Sequence, residues 1–138
     1  MISLIIGNKG SGKTKRLIDT VNETAEKSQG NVVCIEKGPT LTYNIKHTAR
    51  LVDIDDYGIT GFDAFYGMLC GICAGNYDVT DIFVDATFKI GGRDYEQLAD
   101  FIEKINGLSE ESETRFIFTI SCDEADLPER IFTFAEKI

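Results

Sequence analysis

Eight consecutive residues, Gly7, Asn8, Lys9, Gly10, Ser11, Gly12, Lys13 and Thr14, carry the clearest chemistry in the sequence. Glycines adopt backbone angles closed to other residues, so successive main-chain N–H groups can turn inward around an anion. Lys13 adds a mobile positive charge, and the Thr14 hydroxyl is a hard oxygen ligand of the kind magnesium accepts. An apolar run over residues 2–6 leads into this segment, and helically spaced Leu17, Ile18, Val21 and Ala25 follow it. A helix starting there aims its unpaired N–H groups and positive dipole end at the same anion. Residues 7–15, including Lys15, are therefore the expected phosphate-binding segment. A second candidate is Asp85, which closes the apolar run Ile82, Phe83 and Val84. In a parallel sheet, ligands collect beyond the carboxyl ends of strands.

The octet fits G-x-x-x-x-G-K-[ST] at every required position and resembles the P-loop NTPase superfamily. Residues 82–85 look like that superfamily's second nucleotide motif, the Walker B strand. Only these two segments match specifically. The resemblance implies ATP with magnesium: Lys13 reaching the β- and γ-phosphates, Thr14 on the metal, and Asp85 holding it through water. Chromosome-partitioning ATPases carry an extra lysine at the loop's second position, where this chain has Asn8; Lys9 is the third residue of the loop. That subfamily and its lysine supplied in trans are not supported. Many related ATPases place a glutamate directly after the metal aspartate, whereas Ala86 and Thr87 follow Asp85 here. The RecA-like branch instead resembles this chain in placing a glutamate after the strand that follows the P-loop helix. Glu36 stands there, as the candidate base. Ser121, or Thr119 two residues earlier, corresponds to the polar sensor of the additional-strand ATPases. Arg93, after Gly91 and Gly92, is the candidate cation for a γ-phosphate.

The [N/T]-K-x-D pattern that reads guanine is missing, so adenine is the expected base. The resulting expectation is a slow or partner-stimulated, magnesium-dependent ATPase, similar to small bacterial P-loop ATPases. A homo-oligomer or protein partner would supply what the chain lacks. One rival is a small-molecule kinase, because the thymidine kinases resemble this chain in the Ser11-Gly12-Lys13-Thr14 core. Another is a non-hydrolysing module in which nucleotide orders the loops around residues 36–50 and Arg93.

Positioning these residues calls for strand-then-helix units and a parallel sheet covered on both faces. Strands are expected over residues 2–6, 32–35, 51–54, 81–85 and 116–120. Helices are expected from the glycine loop to about residue 28, ended by Gly30; from Thr60, as N-cap with Asp63 in the capping box, to about Gly75; and from Tyr95 to Asn106-Gly107. Residues 109–113 read as a solvent loop. Pro128 and Glu129 after Asp126 read as a helix start, with Ile131, Phe132 and Ala135 packing that helix back on the sheet. The expected architecture is one domain over residues 1–138, a three-layer α/β/α sandwich on a mainly parallel sheet of about five strands. The strand at 116–120 should lie between the glycine-loop strand and the Asp85 strand, as in the RecA-like order.

Twenty-three carboxylates oppose 14 lysines and arginines, a net charge of −9. That field repels nucleic-acid backbones and anionic membranes, so direct binding to either is not expected. Residues 1–6 are too short for the hydrophobic region of a secretory signal, and no apolar run reaches membrane-spanning length. A cytoplasmic protein with reduced Cys34, Cys70, Cys73 and Cys122 is the expectation. The lone Cys70-x-x-Cys73 pair falls late in an apolar helical face, where small core residues are the reading. Asp53, Asp55 and Asp56 lack the spacing of a calcium loop and read as a solvated acidic segment.

Overall fold

A computed structural model describes residues 1–138. In chain order the elements are β1 (Ile2–Gly7), α1 (Lys13–Lys27), β2 (Asn31–Glu36), β3 (Ala49–Asp53) and α2 (Phe62–Gly75). There follow β4 (Val79–Val84), α3 (Thr87–Gly91), α4 (Tyr95–Ser112), β5 (Arg115–Ser121), α5 (Ile131–Phe134) and β6 (Ala135–Lys137). Two 3₁₀ turns, Ile54–Tyr57 and Glu124–Asp126, join elements.

The six strands form one sheet in the order β3-β2-β4-β5-β1-β6, with every neighbouring pair parallel. As expected from the sequence, β5 lies between β1 and β4. Alternation along each strand sorts the core into two faces. Leu4, Ile35, Val84 and Phe118 belong to one buried cluster, with Leu69 of α2 and Ile102 of α4. Ile5, Cys34, Phe83 and Ile117 point the other way, to Leu17 and Val21 of α1 and to Leu41 and Ile45 of the β2–β3 connection. The sheet is thus sandwiched between α1 on one side and α2 with α4 on the other. No helix is long and apolar enough to cross a membrane.

Several expectations need correction. The sheet has six strands because the chain end does not continue as a helix. The α5 helix is a single turn, and residues 135–137 pair with Ile2, Ser3 and Leu4 as an edge strand. Residues 109–112 are helical rather than a solvent loop, and Ser109 is buried. Its hydroxyl donates to the Thr114 carbonyl and accepts from the Met1 ammonium, so this acidic stretch is tied down by one polar side chain inside it. The α2 helix starts at Phe62 with Gly61 as N-cap, in place of Thr60, and no side chain caps it. Gly61 has φ 87°, a left-handed conformation that favours glycine, and its N–H donates to the Ile90 carbonyl. Gly30 does not cap α1, which ends at Lys27. It lies so close to Asp78 that a Cβ would sit 2.3 Å from that residue's carbonyl oxygen.

Candidate functional site

Register places the carboxyl ends of β1, β5 and β4 side by side: Gly7 pairs with Ser121, and Val84 with Phe118. The residues immediately beyond those pairs form the site.

The connection from β1 to α1 turns tightly. Gly10 and Gly12 have φ 87° and 86°, a region costly for any residue with a Cβ. At Gly7 a Cβ would meet the Ser11 hydroxyl at 2.5 Å. Ser11 N–H donates to the Asn8 carbonyl at 3.1 Å, closing the loop. Lys13 Nζ folds back over it, 3.1 Å from the Asn8 carbonyl and 3.4 Å from Ser11 Oγ. These are weak neutral partners, so the ammonium is held in place with its charge uncompensated. Lys15 instead pairs with Asp19 on the exposed face of α1.

Asp85 stands opposite. The Thr14 hydroxyl lies 3.2 and 3.3 Å from its two carboxylate oxygens. Thr119, buried on β5, donates to Asp85 Oδ1 at 2.8 Å and accepts the Ala86 N–H at 2.7 Å. Asp85 N–H is bound to the Ile35 carbonyl. Ala86 has φ 53°, an uncommon non-glycine left-handed conformation, and the Thr119 bond fixes it there. Of the two hydroxyls singled out in the sequence, Thr119 touches the aspartate. Ser121 lines the cleft and offers its carbonyl to Arg93 Nη2 at 3.1 Å. A hydroxyl against one carboxylate suits a hard cation that keeps most of its waters and takes only one or two protein ligands, as magnesium does. No cluster of three or more histidine, cysteine, aspartate or glutamate side chains exists to cage an ion entirely with protein.

These groups line an open cleft of about 860 Å³, together with α3 and the start of α4. Its cations are Lys9, Lys13, Lys15, Lys89 and Arg93, and its carboxylates are Asp85, Asp123 and Asp126. Four of those five cations lack a carboxylate within 4.0 Å. Elsewhere every lysine or arginine except Arg16 and Arg50 has one. In a chain with nine surplus negative charges, free cations gathered in one cleft are the reverse of random pairing. Cys122 sits in the same cleft. Burial pushes its thiol up, Asp126 and Asp123 add to that, and Arg93 and Lys13 oppose it.

Glu36 does not line this cleft. Its carboxylate, 2 % exposed, accepts from Thr40 N–H and Oγ1 and from Leu41 N–H, holding the turn after β2. It borders a larger cavity, about 1370 Å³, that runs along the unpaired edge of β3. Unpaired cations converge in the smaller cleft; the larger one is half hydrophobic, its Glu36 and Asp53 are bound to local turns, and Arg50 is the one lysine or arginine that lines it. Of the acidic cluster, Asp53 accepts from Gly38 and Asp55 N–H, Asp55 pairs with Lys37, and Asp56 is exposed. Of the cysteine pair, Cys73 is buried in the core and Cys70 is half-buried on α2.

Sequence reading missed Phe88 and Lys89 as cleft residues because α3 is too short to show a period, and it took Tyr95 only as the start of the α4 helix. The one signal was the Gly91-Gly92 break. Gly91 marks close packing rather than freedom, for its Cβ would strike the Phe62 ring at 2.2 Å. The chain matches no family model and no curated protein.

Proposed function

We propose that the protein is a P-loop nucleotide-binding protein that takes ATP with magnesium on residues 7–15 and hydrolyses it slowly or only when a partner stimulates it. The observation that carries this reading is the set of cations left unpaired around a glycine turn in an acidic chain. Left-handed Gly10 and Gly12 suit a loop whose amides close on phosphate. The position of β5 between β1 and β4 is the order of the RecA-like branch.

In this reading Lys13 draws the phosphate tail onto the loop, and the Thr14 hydroxyl with Asp85 would hold magnesium beside it. Bound magnesium would neutralise charge on the phosphate oxygens. Thr119 orients Asp85 and keeps one of its oxygens aimed at Thr14. Slow turnover follows from the carboxylates: Ala86 occupies the position after Asp85, and Glu36 is bound to its own turn. Calorimetry with ATP and magnesium, followed by phosphate release with and without candidate partners, tests the proposal. Binding with turnover below about one per minute supports it. Absence of binding to any nucleoside triphosphate overturns it.

A further inference from the structure

We infer that the unpaired edge of β3 joins the same edge of a second copy of this chain, in an isologous dimer that continues the sheet across a twofold axis. Such a dimer is independent of the nucleotide reading, because it forms away from the carboxyl ends of β1, β5 and β4.

The two edges of the sheet differ. β6 is three residues long, and its exposed Glu136 and Lys137 blunt it. β3 is five residues long and pairs with β2 alone, so the N–H and C=O groups on its other side have no main-chain partner. A row of such groups is a template for another strand. Along it runs the cavity of about 1370 Å³, whose apolar lining includes Leu51 and Val52 of β3, Ile45, and Met68 and Ile72 of α2. After Asp63, α2 carries no charged residue, although Ala64, Gly67, Gly71 and Ala74 are exposed on it. The exposed faces of α1 and α4 are instead studded with lysines and acids. Two copies of a chain with net charge −9 repel each other over most approaches, and the side bearing β3 and α2 offers an uncharged helix where they can meet.

Charge at the two ends of β3 selects a second copy turned antiparallel. Arg50, exposed at the start of the strand, has no carboxylate within 4.0 Å and no hydrogen bond, whereas Arg16 at least donates to the Ile138 carbonyl. Asp56, exposed past the far end, has no cation within 4.0 Å. Both border the cavity. A twofold axis sets the start of each strand beside the end of the other. Arg50 of each copy then stands at the acidic end of its neighbour, and the favourable contact is made twice. Parallel pairing in register would place Arg50 beside Arg50 and Asp56 beside Asp56.

The test is sedimentation velocity of the full chain without nucleotide, over about 1 µM to about 1 mM, a range that spans moderate affinities. The wild type should form a reversible dimer, and amide exchange over residues 49–53 should slow as the dimer fills. Arg50→Glu and Asp56→Arg should each weaken dimerisation at least about tenfold, because each sets like charges together at both contacts. An equal mixture of the two variants should restore it, since both contacts of the mixed pair then join opposite charges. Both side chains are exposed, and unchanged circular dichroism checks that the variants fold. A chain that stays monomeric throughout overturns the inference and leaves the edge to a different protein. A dimer that ignores both substitutions, or a mixture no tighter than its separate components, also overturns it.

Discussion

Two carboxylates end neighbouring strands, Glu36 on β2 and Asp85 just past β4, and their surroundings differ completely. Glu36 is buried and saturated by Thr40 and Leu41, on the border of a cavity larger than the cleft. Asp85 is half exposed and held by two hydroxyls, in a smaller cleft where four cations go unpaired. One acid organises a turn; the other faces a space arranged for charge. Size therefore does not locate chemistry here. The informative quantity is which polar groups the fold leaves unspent, since burial or pairing of all others is what folding itself rewards.

The largest expected effect falls on the cleft side. Lys13→Ala should lower affinity for ATP with magnesium about a hundredfold, the loss expected for a charge-assisted contact worth about 2–3 kcal/mol, with little change in melting temperature. A loss of stability without loss of affinity would erase the distinction between the two regions.

Glu36→Ala should show the opposite pattern. Orphaning the buried Leu41 N–H and the Thr40 N–H that Glu36 accepts should cost about 2 kcal/mol in denaturant unfolding, while nucleotide affinity moves less than threefold. Glu36→Gln sharpens this. Phosphate release per folded molecule should stay within twofold, and a tenfold fall would give Glu36 the role of base instead.

Asp85→Asn should reduce the magnesium-dependent part of nucleotide affinity about tenfold, because one carboxylate charge near a hydrated cation is worth on the order of 1–2 kcal/mol at a half-exposed site. Affinity measured with metal chelated should not fall. If both fall together, Asp85 shapes the cleft rather than holding the ion.

The smallest effect concerns Cys34, which lies on β2 between the two acids. Burial first, then the charges of Asp85 and Glu36, push its thiol far up, so the folded state keeps a proton that the unfolded chain releases above about pH 8.5. The stability it contributes is complete below that pH and declines as pH rises beyond it. Cys34→Ala should flatten the decline in unfolding free energy between pH 8 and 10, and an unchanged slope would assign the decline to other groups.

Much of this was legible before any coordinates. The glycine turn, β1 and α1 could be read from residue types because each depends on local backbone geometry and period. The place of β5 between β1 and β4 was expected from the P-loop resemblance, and the sheet has that order. The chain's last segment misled. Pro128 and helical spacing pointed to a packed helix, but residues 135–137 satisfy the exposed edge of β1, a demand that exists only in the assembled sheet. Residues 109–113 misled for a related reason. Their acids looked solvated, and nothing local reveals that Ser109 turns inward to bind Thr114 and the chain's first residue. At the site, Thr119 and Lys89 became meaningful only through register and through α3, which is too short to announce itself.

The central claim, that the glycine turn between β1 and α1 captures a nucleotide triphosphate with magnesium, is tested most directly by thermal unfolding in the presence of ligand. A ligand that binds only the native state at a hundred times its dissociation constant adds about 2.7 kcal/mol, or several degrees in a chain of this size. The account predicts that shift with ATP and magnesium, a smaller one without the metal, and only about 0.4 kcal/mol for Lys13→Ala at the same ligand concentration. An unshifted transition across ATP, GTP and their diphosphates, each with magnesium, would contradict it.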